Sequence, residues 1–242
     1  MEEPFFQTPH AAEDCEDCHG AGGEHLAAGG DMSLSFREKA PEVSTAQCLD
    51  CHQSMPEISA FAHSAHGRGN LSCVSCHQVH PQETNFGLLK AERTDLCVGC
   101  HQATRAEFQK PYHHPVLEGA MDCVDCHSPH LEERRPLRRL ALGADEGCLD
   151  CHSDKKGPFA FEHLPLKVNG CQSCHQPHGS VNARLLDRAQ VAQLCLECHT
   201  MTPGVAGSQP PAFHDLRSSR FRSCTTCHRE IHGSNSSPLF MR

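Results

Sequence analysis

The residues able to do chemistry in this chain are cysteine and histidine, and they come in one fixed arrangement. All 18 cysteines fall into nine Cys-x-x-Cys-His motifs. In chain order these are Cys15, Cys18 and His19; Cys48, Cys51 and His52; Cys73, Cys76 and His77; Cys97, Cys100 and His101; Cys123, Cys126 and His127; Cys148, Cys151 and His152; Cys171, Cys174 and His175; Cys195, Cys198 and His199; and Cys224, Cys227 and His228. That spacing is the attachment signature of c-type haem. Two thiols add to the two vinyl groups of one porphyrin, and the adjacent histidine reaches the iron from the proximal side. In a helical turn, residues i, i+3 and i+4 share a face, so one short turn offers all three groups to one macrocycle.

Other uses of Cys-x-x-Cys fit less well. Two such pairs complete a zinc ribbon, and no histidine need follow them. A thioredoxin-like motif occurs once, beside a βαβ pattern. A disulfide framework would not repeat one spacing so strictly. Histidine makes up 21 of 242 residues, so nine chance coincidences have a probability on the order of 10^-10. Nine covalently attached haem c groups, with their iron, are expected.

The motifs sit in an internal period. Those beginning at Cys48, Cys97, Cys148 and Cys195 form one type; those beginning at Cys73, Cys123, Cys171 and Cys224 form a second. The unit is about 50 residues and carries one haem of each type. A near histidine follows each second-type motif: His80, His130, His178 and His232. A far histidine follows each first-type motif: His63 or His66, His113 or His114, His163, and His214. An aromatic precedes most of these, at Phe61, Tyr112, Phe161 and Phe213. The motif at Cys15 fits the second type, with His25 after it and His10 before it in the far slot. Residues 1–242 are therefore expected to form a single elongated nonahaem domain: a half unit over 1–40, then four two-haem repeats.

Nine proximal histidines leave 12 others. The regular slots supply nine distal ligands: His25, His66, His80, His114, His130, His163, His178, His214 and His232. His10 is left over, and His63 and His113 read as surface or propionate-contacting residues. If His10 ligates the first haem, one of those nine is displaced. The six methionines do not follow the repeat, so two-histidine ligation is expected, with potentials below those of His/Met cytochromes. A near histidine is too close in sequence to bind the opposite face of its own haem. It must serve a neighbour, which would lock consecutive porphyrins into one path for electrons.

Composition agrees with a chain wrapped around cofactors. There is no Trp, one Tyr, and 38% hydrophobic residues with the cysteines counted. That is too little to offset ordering entropy unaided, so the chain without haem is expected to be unfolded. The formal charge is −9, and haem propionates would add more, which disfavours nucleic acid and anionic lipid as partners. Arg134, Arg135, Arg138 and Arg139 form a basic stretch, either solvated or paired with propionates. No apolar run is long enough for a membrane helix. Met1-Glu2-Glu3-Pro4 opens without the apolar core of an export signal. Because haem is attached to such cytochromes after export, a processed chain is expected. Short helices are expected over Leu88–His101, Leu137–His152 and Leu185–His199, with linkers at Gly20–Gly30 and Thr202–Pro211 and no strand alternation. The fold class is a multihaem cytochrome c, mostly loops and short α-helices with almost no β.

Several stretches together resemble the MtrA/DmsE-type multihaem cytochromes. They are Cys171-Gln-Ser-Cys-His-Gln-Pro-His-Gly-Ser-Val-Asn182, Gly157-Pro-Phe-Ala-Phe-Glu-His163, Ile231-His-Gly-Ser-Asn235, Cys73-Val-Ser-Cys-His-Gln-Val-His80 and Cys15-Glu-Asp-Cys-His-Gly. The resemblance covers nearly the whole chain, in order. It implies a periplasmic protein associated with the outer membrane and inserted in a separate β-barrel porin. It further implies an extracellular multihaem cytochrome at the far side and a periplasmic or inner-membrane electron donor or acceptor. Members of that family are usually decahaem; this chain lacks the first motif, and His10 falls where the family has the histidine between its first two. A soluble periplasmic shuttle, a filament-forming wire and an enzyme are the alternatives, in that order. An enzyme needs an open axial site, whereas every motif here ends in His and the spare histidines suffice to close each iron.

Overall fold

The computed structural model describes residues 4–30, 36, 39–81, 85–131, 146–199, 214 and 218–241. Their regular structure is eleven short α-helices and nine 3-10 turns, with no strand among them. Backbone pairing outside helices is limited to four isolated antiparallel bridges, His77 with Leu89, Tyr112 with Ser180, Phe161 with Ser234, and His175 with Leu186.

By backbone proximity the chain falls into two compact units. One comprises Met1–His101 with Asp122–Pro136, the other Gln102–Met121 with Leu137–Arg242. In the first unit the helix Pro41–His52 runs directly into the second motif. Pro41 suits its first turn because the missing N–H would be unpaired there. Ser44 is fully buried and donates to the Phe36 carbonyl at 3.0 Å. This helix packs on the helix Cys73–Cys76 of the third motif. Ser64 caps the helix Ala65–Arg68 by accepting from the Gly67 N–H at 3.0 Å, which aims His66 away from the preceding turn. In the second unit the helix Val191–Leu196 packs on the turn Cys224–Thr226, again joining two motifs.

The apolar interior is small. The buried hydrophobic side chains among the described residues are Phe61, Val98, Phe108, Val116 and Ala192, while Leu26, Phe86, Leu164, Val168 and Val181 are all more than half exposed. Five such residues make a sparse core for the described part of the chain.

The expected helices are shorter than the sequence suggests. In place of Leu88–His101 the helix is Arg93–Val98, and in place of Leu185–His199 it is Val191–Leu196. The cause is a left-handed turn that the helix-forming composition hides. Gly87 and Leu88 have φ of 65° and 55°, and Arg184 and Leu185 have 62° and 58°. Two consecutive left-handed residues cannot continue a right-handed helix. They fold the chain back on its motif, so that Gln78 N–H donates to Leu88 O at 2.7 Å and Gln176 N–H to Leu185 O at 2.7 Å. Of the third expected helix, Glu146–Leu149 is present; the rest of Leu137–His152 before Glu146 lies outside the described residues, as do the arginines at 134, 135, 138 and 139 and the linker Thr202–Pro211. The expected linker Gly20–Gly30 contains the helix Gly23–Ala27. Nothing in the sequence announces the longest helix, Pro41–His52, because Val43 and Thr45 lower its intrinsic propensity.

The recurring His-Gly-Ser text has a steric basis. A Cβ on Gly179 would overlap the Glu107 carbonyl oxygen, and one on Gly233 would overlap the Phe159 ring. These close approaches let Ser180 exchange two backbone hydrogen bonds with Tyr112 (3.1 and 2.8 Å) and Ser234 two with Phe161 (2.8 and 2.9 Å). Each bridge fixes a near-histidine segment against the segment of a far histidine. The Gly179→Ala variant should lower the denaturation midpoint by an amount worth about 1–3 kcal/mol, since a carbonyl cannot move aside. The Gly233→Ala variant should lose less, because an aromatic side chain can rotate; chemical denaturation followed by circular dichroism checks both.

Candidate haem-ligand sites

Each motif closes a single helical turn. The proximal histidine N–H donates to the first cysteine carbonyl at 2.9 Å for His77, His127, His152, His199 and His228, and at 3.0 Å for His101 and His175. His19 and His52 do the same inside the helices Cys15–His19 and Pro41–His52. The second cysteine shares that carbonyl in several motifs. The N–H groups of Cys126, Cys198 and Cys227 donate to Cys123, Cys195 and Cys224 at 3.2 Å, that of Cys151 to Cys148 at 3.3 Å, and that of Cys174 to Cys171 at 3.1 Å. Both sulfurs and the ring therefore leave one face. The thiols of Cys126, Cys151, Cys198 and Cys227 belong to exposed residues and that of Cys174 to a half-buried one, so each lies where a vinyl group can reach it.

Several consecutive motifs approach one another through their sulfurs. Within repeats, the first cysteine of one motif hydrogen-bonds to the first cysteine of the next: Cys48 with Cys73, Cys97 with Cys123, and Cys195 with Cys224. Between repeats, the second cysteines come within electrostatic reach, Cys18 with Cys51 and Cys76 with Cys100. In the first unit this forms an unbroken series through all five motifs. The Cys48 hydrogen bond lowers the Cys73 thiol to about 7, while the same contact, with burial second, holds Cys48 far above its ordinary value. Burial, ahead of the neighbouring thiol, pushes Cys97 up to about 11 and Cys195 up to about 12. Once the sulfurs are thioethers they would no longer titrate, and what would persist is their closeness to one another.

Opposite the proximal rings stand further histidines. Ring centres are 5.9 Å apart for His10 and His52, 6.0 Å for His19 and His80, 6.0 Å for His66 and His101, and 6.0 Å for His77 and His130. In the second unit they are 6.3 Å for His114 and His152, 6.1 Å for His163 and His199, 6.3 Å for His175 and His232, and 6.3 Å for His214 and His228. Two imidazoles bound on opposite sides of one metal at about 2.0–2.1 Å have ring centres roughly 6–6.5 Å apart. The observed spacing is too long for ring contact and right for one interposed atom.

The outer ring nitrogens are committed in the way ligation needs. His77 donates through Nδ1 to Gly87 O at 2.7 Å, His175 to Arg184 O at 2.8 Å and His228 to Leu239 O at 2.6 Å. The left-handed turns after the third and seventh motifs present two of these carbonyls. The far histidines His66 and His114 donate through Nδ1 to Pro129 O at 3.1 Å and Pro177 O at 2.8 Å, the residues just before near histidines. A carbonyl only accepts, so Nδ1 carries the proton and Nε2 keeps the lone pair that a metal takes. Burial pushes His130, His163 and His232 below their ordinary value, which keeps those rings neutral.

Of the remaining histidines, His127 closes its motif turn. His178 donates through Nδ1 to Glu107 Oε2 at 3.0 Å and packs on Phe108 with ring centres 5.3 Å apart. His113 has both nitrogens occupied, by Lys110 O at 2.5 Å and Glu118 Oε1 at 2.9 Å. His63 is exposed, and its carbonyl accepts from Arg68. His25 lies half-buried on the helix Gly23–Ala27. His10, which the repeat left over, is the ring that faces His52. Its Nδ1 is buried without a hydrogen-bond partner among the described residues. The signal that would have found it is its place in the far-histidine slot.

Covalent-attachment turns, facing imidazoles and a chain without sheet among its described residues define a multihaem c-type cytochrome, a carrier of electrons. Residues 15–100 match the family of cytochrome c-type NrfB-like proteins, and residues 113–157 and 163–203 match the doubled CXXCH motif. Multiheme cytochrome MtrA of Shewanella baltica is 34% identical over 240 residues, covering 95% of this chain and 70% of that protein. Cytochrome c-type protein NapC of Escherichia coli is 26% identical over 52% of this chain and 74% of its own length. The dissimilatory sulfite reductase MccA of Wolinella succinogenes is 23% identical over 67% of this chain but only 22% of its own. The chain belongs to the MtrA family of multihaem cytochromes.

Acid should weaken the assembly. Unfolded histidines take up protons near about pH 6.5, whereas folded His130, His163 and His232 resist protonation. The stability tied to these rings is whole above that pH and is lost as pH falls through their depressed folded values. Thermal melting followed at the Soret band should move to lower temperature as pH drops below about 6.5.

Proposed function

We propose that the chain holds nine haems, each iron gripped by two imidazoles, and carries electrons across the outer membrane inside a porin. The observation that carries this reading is the series of neighbouring sulfurs in the first unit: Cys48 with Cys73 and Cys97 with Cys123 hydrogen-bonded, and Cys18 with Cys51 and Cys76 with Cys100 within electrostatic reach. Haems attached to sulfurs this close would be near neighbours, so electrons could hop from one to the next without leaving the protein. In the remaining motifs the same attachment falls to Cys126, to Cys148 and Cys151, to Cys171 and Cys174, to Cys195 and Cys198, and to Cys224 and Cys227. The protein fixes spacing and dielectric while the haem does the redox chemistry.

Eight irons sit between the facing pairs given above. His127 and His178 keep the proximal and distal roles that motif and repeat assign them. These are 18 of the 21 histidines, and by that count His10 takes the ligand place that the repeat had offered to His25. The His10→Ala variant should convert one haem from low-spin to high-spin, seen in the optical and EPR spectra of the oxidised protein. His25→Ala should leave every haem low-spin.

The chain's chemistry and its family support a porin partner. Among the described residues no helix is long and apolar enough to cross a membrane, the chain is acidic, and its surface is loop. Such a chain needs the polar lumen of a separate β-barrel to pass lipid. In this reading the protein works in the periplasm at the outer membrane, with an extracellular multihaem cytochrome beyond the barrel and a periplasmic or inner-membrane partner behind it. The NrfB-like match over residues 15–100 favours a second reading, a soluble shuttle to a terminal reductase. Purification from native outer membranes should recover a barrel partner. Liposomes holding both proteins should then reduce an external acceptor from an enclosed donor. Recovery of the cytochrome alone, with no conduction, would leave the shuttle.

A further inference from the structure

We propose that Glu107 is a positioning residue that lowers the potential of the haem ligated by His178; this rests on the two-imidazole reading above. Five other histidines in that reading, His66, His77, His114, His175 and His228, give the Nδ1 proton to a backbone carbonyl. His178 gives it to a carboxylate, Glu107 Oε2, at 3.0 Å. A negatively charged acceptor draws the proton further from the ring, so Nε2 becomes a stronger donor to iron. Stronger donation favours ferric over ferrous iron and moves the couple to lower potential.

The contact is built into the backbone. Glu107 lies near the end of the helix Gln102–Phe108. The next residue, Phe108, is buried and packs beside the His178 ring. The residue after His178 is Gly179, whose missing Cβ lets the chain pass against the Glu107 carbonyl. The Tyr112–Ser180 bridge then locks both segments in register. Lys110 stands 3.9 Å from Glu107 Oε1 and also donates to Gly179 O at 3.2 Å. It opposes the Glu107 charge in part, so the two residues act on the iron in opposite directions. His178 and Glu107 are 34% and 42% exposed. Part of the effect is therefore screened by solvent.

A redox titration of the intact, haem-loaded protein tests this. In Glu107→Gln, which keeps shape and an acceptor oxygen but no charge, about one ninth of the α-band amplitude should titrate at higher potential. A tenfold change in the ferric-to-ferrous ratio at that haem reads as about 59 mV. Glu107→Asp should stay near wild type, and Lys110→Met should move the same fraction the other way. The inference is overturned if the Gln variant keeps the wild-type titration with all haems low-spin. It is equally overturned if Gln and Asp shift the curve alike, which would make the contact merely structural. The haem count and low-spin EPR spectrum of the wild-type protein judge the underlying ligation separately; too few low-spin haems there would sink the two-imidazole reading whatever Glu107 does.

Discussion

Everything in this molecule depends on holding two imidazole rings about 6 Å apart, face to a common point, when the rings come from distant parts of the chain. His66 and His101 are separated by one motif, and His77 and His130 by two. A chain with five buried hydrophobic side chains among its described residues has few other means of joining such segments. Stability and electronic function therefore reside in the same contacts. On the two-imidazole reading a change that loosens a ligand would loosen the fold, and folding energy would be largely cofactor-binding energy, as in small metal-dependent domains.

The polypeptide's contribution is mostly backbone. Nδ1 protons go to carbonyls of Gly87, Arg184, Leu239, Pro129 and Pro177, so the tautomer is fixed by main chain and not by a side chain. Far histidines are tied to the residue before a near histidine one repeat onward. Each unit thus interlocks successive repeats through ligand orientation rather than through a shared hydrophobic layer. This resembles solenoids, where neighbouring repeats supply one another's missing surface.

The cysteine spacing, the period of paired motifs and the scarcity of regular structure among the described residues were all legible in the sequence, because each is a local pattern. The limits of helices were not. Leu88 and Leu185 look like helix formers, yet each sits in a left-handed turn dictated by the need to bring a carbonyl over a proximal histidine. His10 and His25 stood in different slots of the repeat, one far and one near, and the count of nine ligands favoured the wrong one of the two for facing His52. The ring that stands across from His52 is His10, the far-slot residue. The Glu107 contact joins residues 71 positions apart, beyond any motif.

The twist between facing rings differs from pair to pair. It is 5° for His163 and His199 and 21° for His77 and His130, but 70° for His10 and His52 and 72° for His66 and His101. Parallel rings donate into one iron dπ orbital and split it from its partner; crossed rings donate into both and leave them nearly equal in energy. On the two-imidazole reading, irons with identical ligand atoms would thereby acquire different magnetic anisotropy. A chain that looks chemically uniform would carry a set of distinguishable spins, so that the filling of its sites could be followed one group at a time.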